Sequence, residues 1–389
     1  MTVHSPASKL LSMKLNPLIA CLILGFSSPA VAGTLGPGQR AEVNAGDTPE
    51  SWTLSGAELV VGPGASTLDV NASVGSNVTF NQASAFISAS GSALGIRVIG
   101  DSILQMTDTT VRSESGRALS VNYASGPTTG GGGAARILRS VLSGRGIGAV
   151  VSGGTTLELD ASSVEGSAVS ASDPFDAGSG LWLAGGANVL ARNGSTIIGD
   201  TYGIAGQFDV RFTPDDPADV VIDGSTVEGR TGAAIYIDAD GSRDPFLAAF
   251  TIRNGAQLRG GDGNIALVNG DGAEVSLAVD NSQLQGNIDN MGASVISVSL
   301  FNGATLMGAT RNVTSMALEN ARWQLTDSSS AGTLALGAGS EIALGDGSAF
   351  NTLNVSGNYS GNGGTLLFNT ALAGDDAASD KLVIGGDSS

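Results

Sequence analysis

Asp160 to Gly166 reads DASSVEG, and this seven-residue pattern decides the fold because it returns along the chain. The pattern is an acidic residue or Asn, any, small, any, apolar, any, Gly. Its other copies are Asn193 to Gly199 (NGSTIIG), Asp223 to Gly229 (DGSTVEG), Asn254 to Gly260 (NGAQLRG), Asp280 to Gly286 (DNSQLQG) and Asn302 to Gly308 (NGATLMG). Leu138 to Gly144 (LRSVLSG) fits except at its first residue. The closing glycines lie 22, 33, 30, 31, 26 and 22 residues apart. Self-similarity at this period predicts a solenoid, one supersecondary unit per repeat.

Apolar residues precede each copy in alternation, as in Leu157 and Leu159 or Leu277 and Val279. A period of two marks a strand with one buried face. The acidic residue or Asn then turns the chain, the apolar residue returns to the interior, and Gly makes the next corner. In the Asp copies the apolar pair sits one and three residues upstream. In the Asn copies it sits two and four upstream, as in Phe250 and Ile252. The Asn turns therefore carry one extra residue, which a bulge or a left-handed Asn accommodates.

Composition agrees with a β-solenoid. Gly is 58 of 389 residues with no strict triplet, which excludes collagen, and aromatics at 5% are few for a conventional globular core. Residues 1–32 read as a signal peptide: Lys9 and Lys14, the apolar Leu18 to Phe26, then the small-residue site Ala30-Val31-Ala32. Leu18 to Cys21 is a weaker lipoprotein-like alternative, and Met13 is an alternative start. Removal of this segment takes away His4 and Cys21, so no imidazole or thiol is expected in the mature chain. It also leaves 16 basic against 36 acidic residues, a charge of −20, which disfavours nucleic acid and anionic lipid.

Four stretches break the rhythm: Gly126 to Gly133, Ser172 to Gly180, Phe212 to Asp219 and Asp238 to Pro245. They predict loops leaving one side of the stack, where function is expected. Residues 33–94 read as an N-terminal cap or first rungs, with further rungs around Ile103, Met106, Val111 and Leu119 inside a body spanning 95–315. From about Met316 the texture changes. The segment carries Ala321-x-Trp323, the run Leu353 to Gly361 (LNVSGNYSG), and Ser379 to Ile384 (SDKLVI) followed by Gly386-Asp387.

These features resemble the C-terminal part of pertactin-like autotransporter passenger domains. The resemblance implies a right-handed parallel β-helix whose residues 316–389 form an autochaperone-type cap that starts folding outside the cell. It implies a surface-displayed or secreted adhesin or virulence-type scaffold that needs no cofactor. Its partner would be a host-cell or matrix surface, or another bacterial cell. In that family an outer-membrane β-barrel follows. This chain stops at Ser389 within the cap pattern, leaving no room for a barrel. The expectation is a truncated product or fragment, exported by the Sec pathway and periplasmic unless joined to a barrel. A carbohydrate-active β-helix enzyme and a non-functional remnant are the alternative readings.

Candidate chemistry is sparse, and no catalytic, cofactor or metal residue is assigned. Gly386 to Ser389 resembles a serine-protease nucleophile stretch, but lacks a histidine base. Asp238, Asp240 and Asp244 lack the closing Glu of a calcium loop, and Gly260 to Asn264 is a single calcium-type turn where tandem copies are needed. Asp173 with Asp176, and Asp215 with Asp216, are carboxylate pairs of the kind glycosidases use, but sit beside proline in loops. Turns and solvated loops account for all of them.

Overall fold

The computed structural model describes residues 33–122, 132–169, 177–207, 217–240, 245–374 and 376–389, and every named element among them is a β-strand. Strands join three faces in rotation. The first face is a 12-stranded sheet from Thr34–Leu35 to Thr310–Arg311, and the second is a 16-stranded sheet from Arg40–Val43 to Lys381–Ile384. The third face holds an 8-stranded sheet up to Gln257–Gly260, then a 5-stranded one from Gln283–Gln285. All strand-to-strand ladders are parallel, each strand pairing with its equivalent one coil on, as when Leu157 faces Ala135 and Val189. This is a parallel β-helix.

The recurring heptad is the corner between the second and third sheets. In the Asp copies the acidic residue is the last of its strand, as in Thr156–Asp160, and the left-handed turn falls on the next residue: Ala161 (φ 48°), Gly224 (φ 54°) and Asn281 (φ 44°). The Asp is thus at the corner without being its turn former. In the Asn copies two successive left-handed residues make the turn, Asn193-Gly194, Asn254-Gly255 and Asn302-Gly303. That is the extra residue the spacing demands.

The small third position is buried because its hydroxyl satisfies the corner. Ser162 Oγ donates to Asp160 O at 2.8 Å and accepts from Ser140 N at 3.1 Å. Ser162 N in turn donates to Ser195 Oγ at 3.1 Å. A stack of serines therefore serves the backbone groups that turn out of the ladder, which would be costly to bury unpaired.

The closing glycines stack in register, Gly144 on Gly166, Gly199, Gly229 and Gly260. Each points inward at the corner into the first sheet. A β-carbon at Gly166 or Gly199 would lie 1.9 Å from the carbonyl oxygen of Ser179 or Tyr202.

Acid and base alternate down the outside of the second-to-third corner. Arg139 makes a bidentate pair with Asp108 at 2.8 Å. Asp160 accepts from Arg192 at 2.9 Å and Asn193 at 2.8 Å. Asp223 accepts from Arg253 at 2.8 Å and Asn254 at 2.7 Å, and Asp280 from Asn302 at 3.0 Å. The Asn254 hydrogen bond first, then Arg253, holds the Asp223 carboxyl below the usual range.

Inward positions carry the aliphatic ladders, with Met106, Val111 and Leu119 buried as expected. The strand Ile103–Thr107 lies where a rung is expected, with Leu104 taking the inward place and Ile103 44% exposed.

The first sheet ends at Arg311, and beyond it two sheets face each other. Trp323 fills the space at that narrowing, fully buried, with its indole N–H donated to Gly308 O at 3.0 Å. Farther on, Asp380 is buried and pins three donors: Asn351 N and Asn369 N at 2.7 Å and Asn369 Nδ2 at 2.8 Å. The Ser-Asp-Lys step thus staples the last coils together.

Two stability outcomes follow from this packing. Gly199→Ala places a β-carbon against backbone and should cost about 2–3 kcal/mol, whereas Gly194→Ala, with open space around it, should cost about 1 kcal/mol of left-handed strain. Denaturant unfolding of the two variants checks the order. Trp323→Ala should cost about 3–5 kcal/mol and expose the C-terminal third to protease before Val227→Ala exposes the middle. If the C-terminal third of Trp323→Ala resists cleavage as long as that of the parent, Trp323 does not anchor the end.

Candidate functional site

A strand that covers a core on one side alternates buried and exposed residues. Successive strands of the first sheet from Leu119–Asn122 to Tyr202–Gln207 do not. Ile147–Val151 and Ser179–Leu183 are buried at every position. The cause is a second apolar cluster on the outer side of that sheet.

Its residues form one column in register: Val150 beside Trp182, then Ala205, Tyr236 and Leu267. Val150, Trp182, Ala205 and Tyr236 are at most 8% exposed. Tyr202 stacks on Tyr236 with centroids 4.1 Å apart and planes 8° from parallel. The same column is polar on either side, with Asn71, Arg97 and Ser120 before it and Asp289 and Arg311 after it. Asp289 and Arg311 form an ion pair at 2.9 Å.

Residues 123–131, 208–216 and 241–244 follow the first-sheet strands Leu119–Asn122, Tyr202–Gln207 and Ile235–Asp240 in sequence, and residues 170–176 precede Ser179–Leu183. These segments, and with them Asp173, Asp176, Asp215, Asp216 and Asp244, lie outside the described residues, as do residues 1–32 with His4 and Cys21. The ordered strands also reach into the expected loops, since Asp238 and Asp240 belong to Ile235–Asp240, and Ser179 and Gly180 to Ser179–Leu183.

The polar groups beside the aromatic pair are few. Asn269 Nδ2 donates to Asp238 Oδ1 at 3.2 Å and reaches Tyr236 Oη at 3.5 Å. Burial first, then the charge of Asp238, pushes the Tyr236 phenol up to about 12. Burial also raises Tyr202, with Asp238 and Asp262 adding to it. Phenols held protonated are donors and apolar surfaces, not bases. The arrangement suits recognition.

Other sequence candidates have structural roles. Asp262 closes its turn by accepting from Asn264 N at 2.8 Å and Nδ2 at 3.1 Å. Asp387 sits in the last coil, its carbonyl accepting from Tyr359 N at 2.9 Å and its N–H donating to Asn358 Oδ1 at 2.9 Å. Among the described residues no group of three or more His, Cys, Asp or Glu is arranged for a metal ion, and no helix is long and apolar enough to cross a membrane. Trp182, Tyr202 and Tyr236 escaped the sequence reading. Their signal was the unbroken apolar run Gly180 to Ala184 (GLWLA), which departs from alternation.

With this geometry in place, comparison with known proteins gives a consistent picture. Residues 329–389 match the family described as Autochaperone Domain Type 1. The chain is 40% identical over 98 residues to "Probable autotransporter YfaL" of Escherichia coli (strain K12), covering 23% of this chain and 8% of that protein. It is 59% identical over 39 residues to "Uncharacterized protein YuaQ" of the same organism, covering 10% of this chain and 3% of that protein. The fold and these matches support an autotransporter passenger domain that carries a type 1 autochaperone at residues 329–389, and hence a secreted or outer-membrane-associated protein. The matched segment starts with strand Ser329–Leu336, one rung past Trp323.

The raised Tyr236 phenol fixes a pH dependence. Its ordinary value of 10.0 rises to about 12 on folding, so the folded state holds its proton longer than the unfolded state. The stabilisation is complete below pH 10 and is lost as pH climbs towards 12. Unfolding measured across that window should show stability falling with pH, and Tyr236→Phe should flatten the slope.

Proposed function

We propose that this chain is a displayed binding scaffold, an autotransporter passenger that adheres to a host-cell, matrix or bacterial surface without chemical turnover. The observation that supports this most directly is the match of residues 329–389 to Autochaperone Domain Type 1 at the end of a parallel β-helix. The outer column on the first sheet, Val150, Trp182, Ala205 and Tyr236, is a second apolar layer that a rod built of identical corners does not need for its own closure. In this reading a signal peptide at residues 1–32 sends the chain through the Sec pathway. The autochaperone starts folding at the C-terminal end, and each coil templates the next by strand pairing.

The test replaces residues 123–131, 170–176, 208–216 and 241–244 with short Gly-Ser turns in the mature chain. The replaced protein should keep its β-sheet circular dichroism and protease resistance, and lose adhesion to matrix-coated plates, epithelial monolayers and bacterial lawns by about tenfold or more. Undiminished adhesion would remove these segments from the binding surface. Release of reducing sugar from a polysaccharide by the intact chain would replace adhesion with the carbohydrate-active reading.

A further inference from the structure

The third face is interrupted at one place. At each corner the first residue of a third-sheet strand donates its N–H to the coil before it. Thr226 N reaches Ser195 O, Gln257 N reaches Ser225 O, Thr305 N reaches Ser282 O and Arg322 N reaches Ala304 O, all at 2.9 Å. The equivalent bond from Gln283 N to Ala256 O is not made. No ladder joins Gln257–Gly260 to Gln283–Gln285, and the face divides there into its two sheets.

This break opens a groove of about 1050 Å³. Gln257 and Arg259 stand on one bank and Gln283 and Gln285 on the other, all four exposed, with Met307 in the next coil at 37% exposure. Among the described residues lining it there is no carboxylate, on a chain with 36 acidic residues. Arg259 donates from Nη2 to Gln257 Oε1, which leaves the Gln257 amide N–H groups free to point elsewhere.

The donor set selects the ligand. Each carboxamide offers donors and an acceptor side by side, and Asn254, Asn281 and Asn287 add further amides to the lining. A hydroxyl is also both donor and acceptor, so a polyol satisfies such a surface whichever way each amide turns. An apolar ligand would strand these groups. A cation finds no carboxylate, and the one positive group available to an anion, Arg259, is engaged with Gln257 Oε1. An inserted peptide strand needs two spacings of about 4.8 Å between its neighbours, and these two strands already approach within 8 Å. Met307 supplies the apolar contact that the C–H face of a sugar ring requires.

We propose that this groove binds a neutral oligosaccharide through the side-chain amides of Gln257, Gln283 and Gln285. The site is on a different face from the surface proposed for adhesion and does not depend on that reading. Titration calorimetry of the mature chain with maltohexaose, cellohexaose, chitohexaose and tetragalacturonate tests it.

At least one neutral oligosaccharide should bind, and the double variant Gln283→Ala/Gln285→Ala should weaken it about tenfold, the loss expected for two neutral hydrogen bonds. Gln105→Ala, exposed on the second sheet, should leave binding unchanged. Circular dichroism of the double variant should match the parent, since both glutamines are exposed. The proposal fails if no neutral sugar binds, or if the double variant binds as well as the parent. It also fails if only tetragalacturonate binds and Arg259→Ala abolishes that, or if an extended peptide binds in place of every sugar.

Discussion

Where the third sheet hands over to the first, the backbone passes so close to itself that a β-carbon on Gly166, Gly199, Gly229 or Gly260 would lie 2.2 Å or less from a carbonyl oxygen. That exclusion sets the shape of the coil. A sharp corner keeps the inner cavity narrow enough for Val, Ile, Leu and Ala to fill it, which is why the chain manages with few aromatics. It also fixes register, because a glycine displaced by one residue would put a side chain where none fits and would turn each inner face outward. The serine stack at the preceding corner does the complementary task of pairing the backbone groups that turn out of the ladders. Steric exclusion and hydrogen-bond satisfaction therefore act at successive corners of the same turn.

Stacking in register brings a second problem, since like residues come to lie on like. A repeat that ended every strand in Asp would hold carboxylates about 4.8 Å apart down the edge, and directly opposed like charges destabilise a sheet. From Asp160 on the strand ends alternate instead, Asp160, Arg192, Asp223, Arg253 and Asp280, and one residue later, at the turn, Asp108 and Arg139 pair in the coils before. The two turn types follow the same alternation, because the Asn turns deliver Asn193, Asn254 and Asn302 to the carboxylate of the coil before. Exposed pairs of this kind contribute little singly. Their effect here is to let a strongly acidic chain stack without repelling itself along one edge.

Much of the rod was legible in the sequence because its constraints are local. The heptad names its own corner, and the offset between Asp and Asn copies correctly implies one extra turn residue. What escaped was set by neighbouring coils. Ile103 and Leu104 are both apolar, and only pairing decides which faces inward. Gly180 to Ala184 carries its second buried layer in an apolar run that alternation cannot parse. The break between Ala256 and Gln283 is invisible in either heptad, since NGAQLRG and DNSQLQG both obey the pattern. The interval between closing glycines drops from 31 to 26 residues at that coil, yet the larger step from 22 to 33 at Gly166 leaves all three ladders intact, so spacing alone does not mark the break.

The C-terminal coils close differently. The first sheet stops at Arg311, in the coil after Gly308. With one wall gone, the two remaining sheets must close over a space that aliphatic ladders filled from three sides. Trp323 closes it as the largest fully buried side chain, and Asp380 ties down the coils beyond. Each coil in such a stack interacts mainly with its neighbours, so this C-terminal closure holds whatever the outer faces of earlier coils present. Inward positions specify the rod, while the outward positions beside them are released from that task. That separation lets one sheet carry an aromatic column and another an amide-lined groove on the same scaffold.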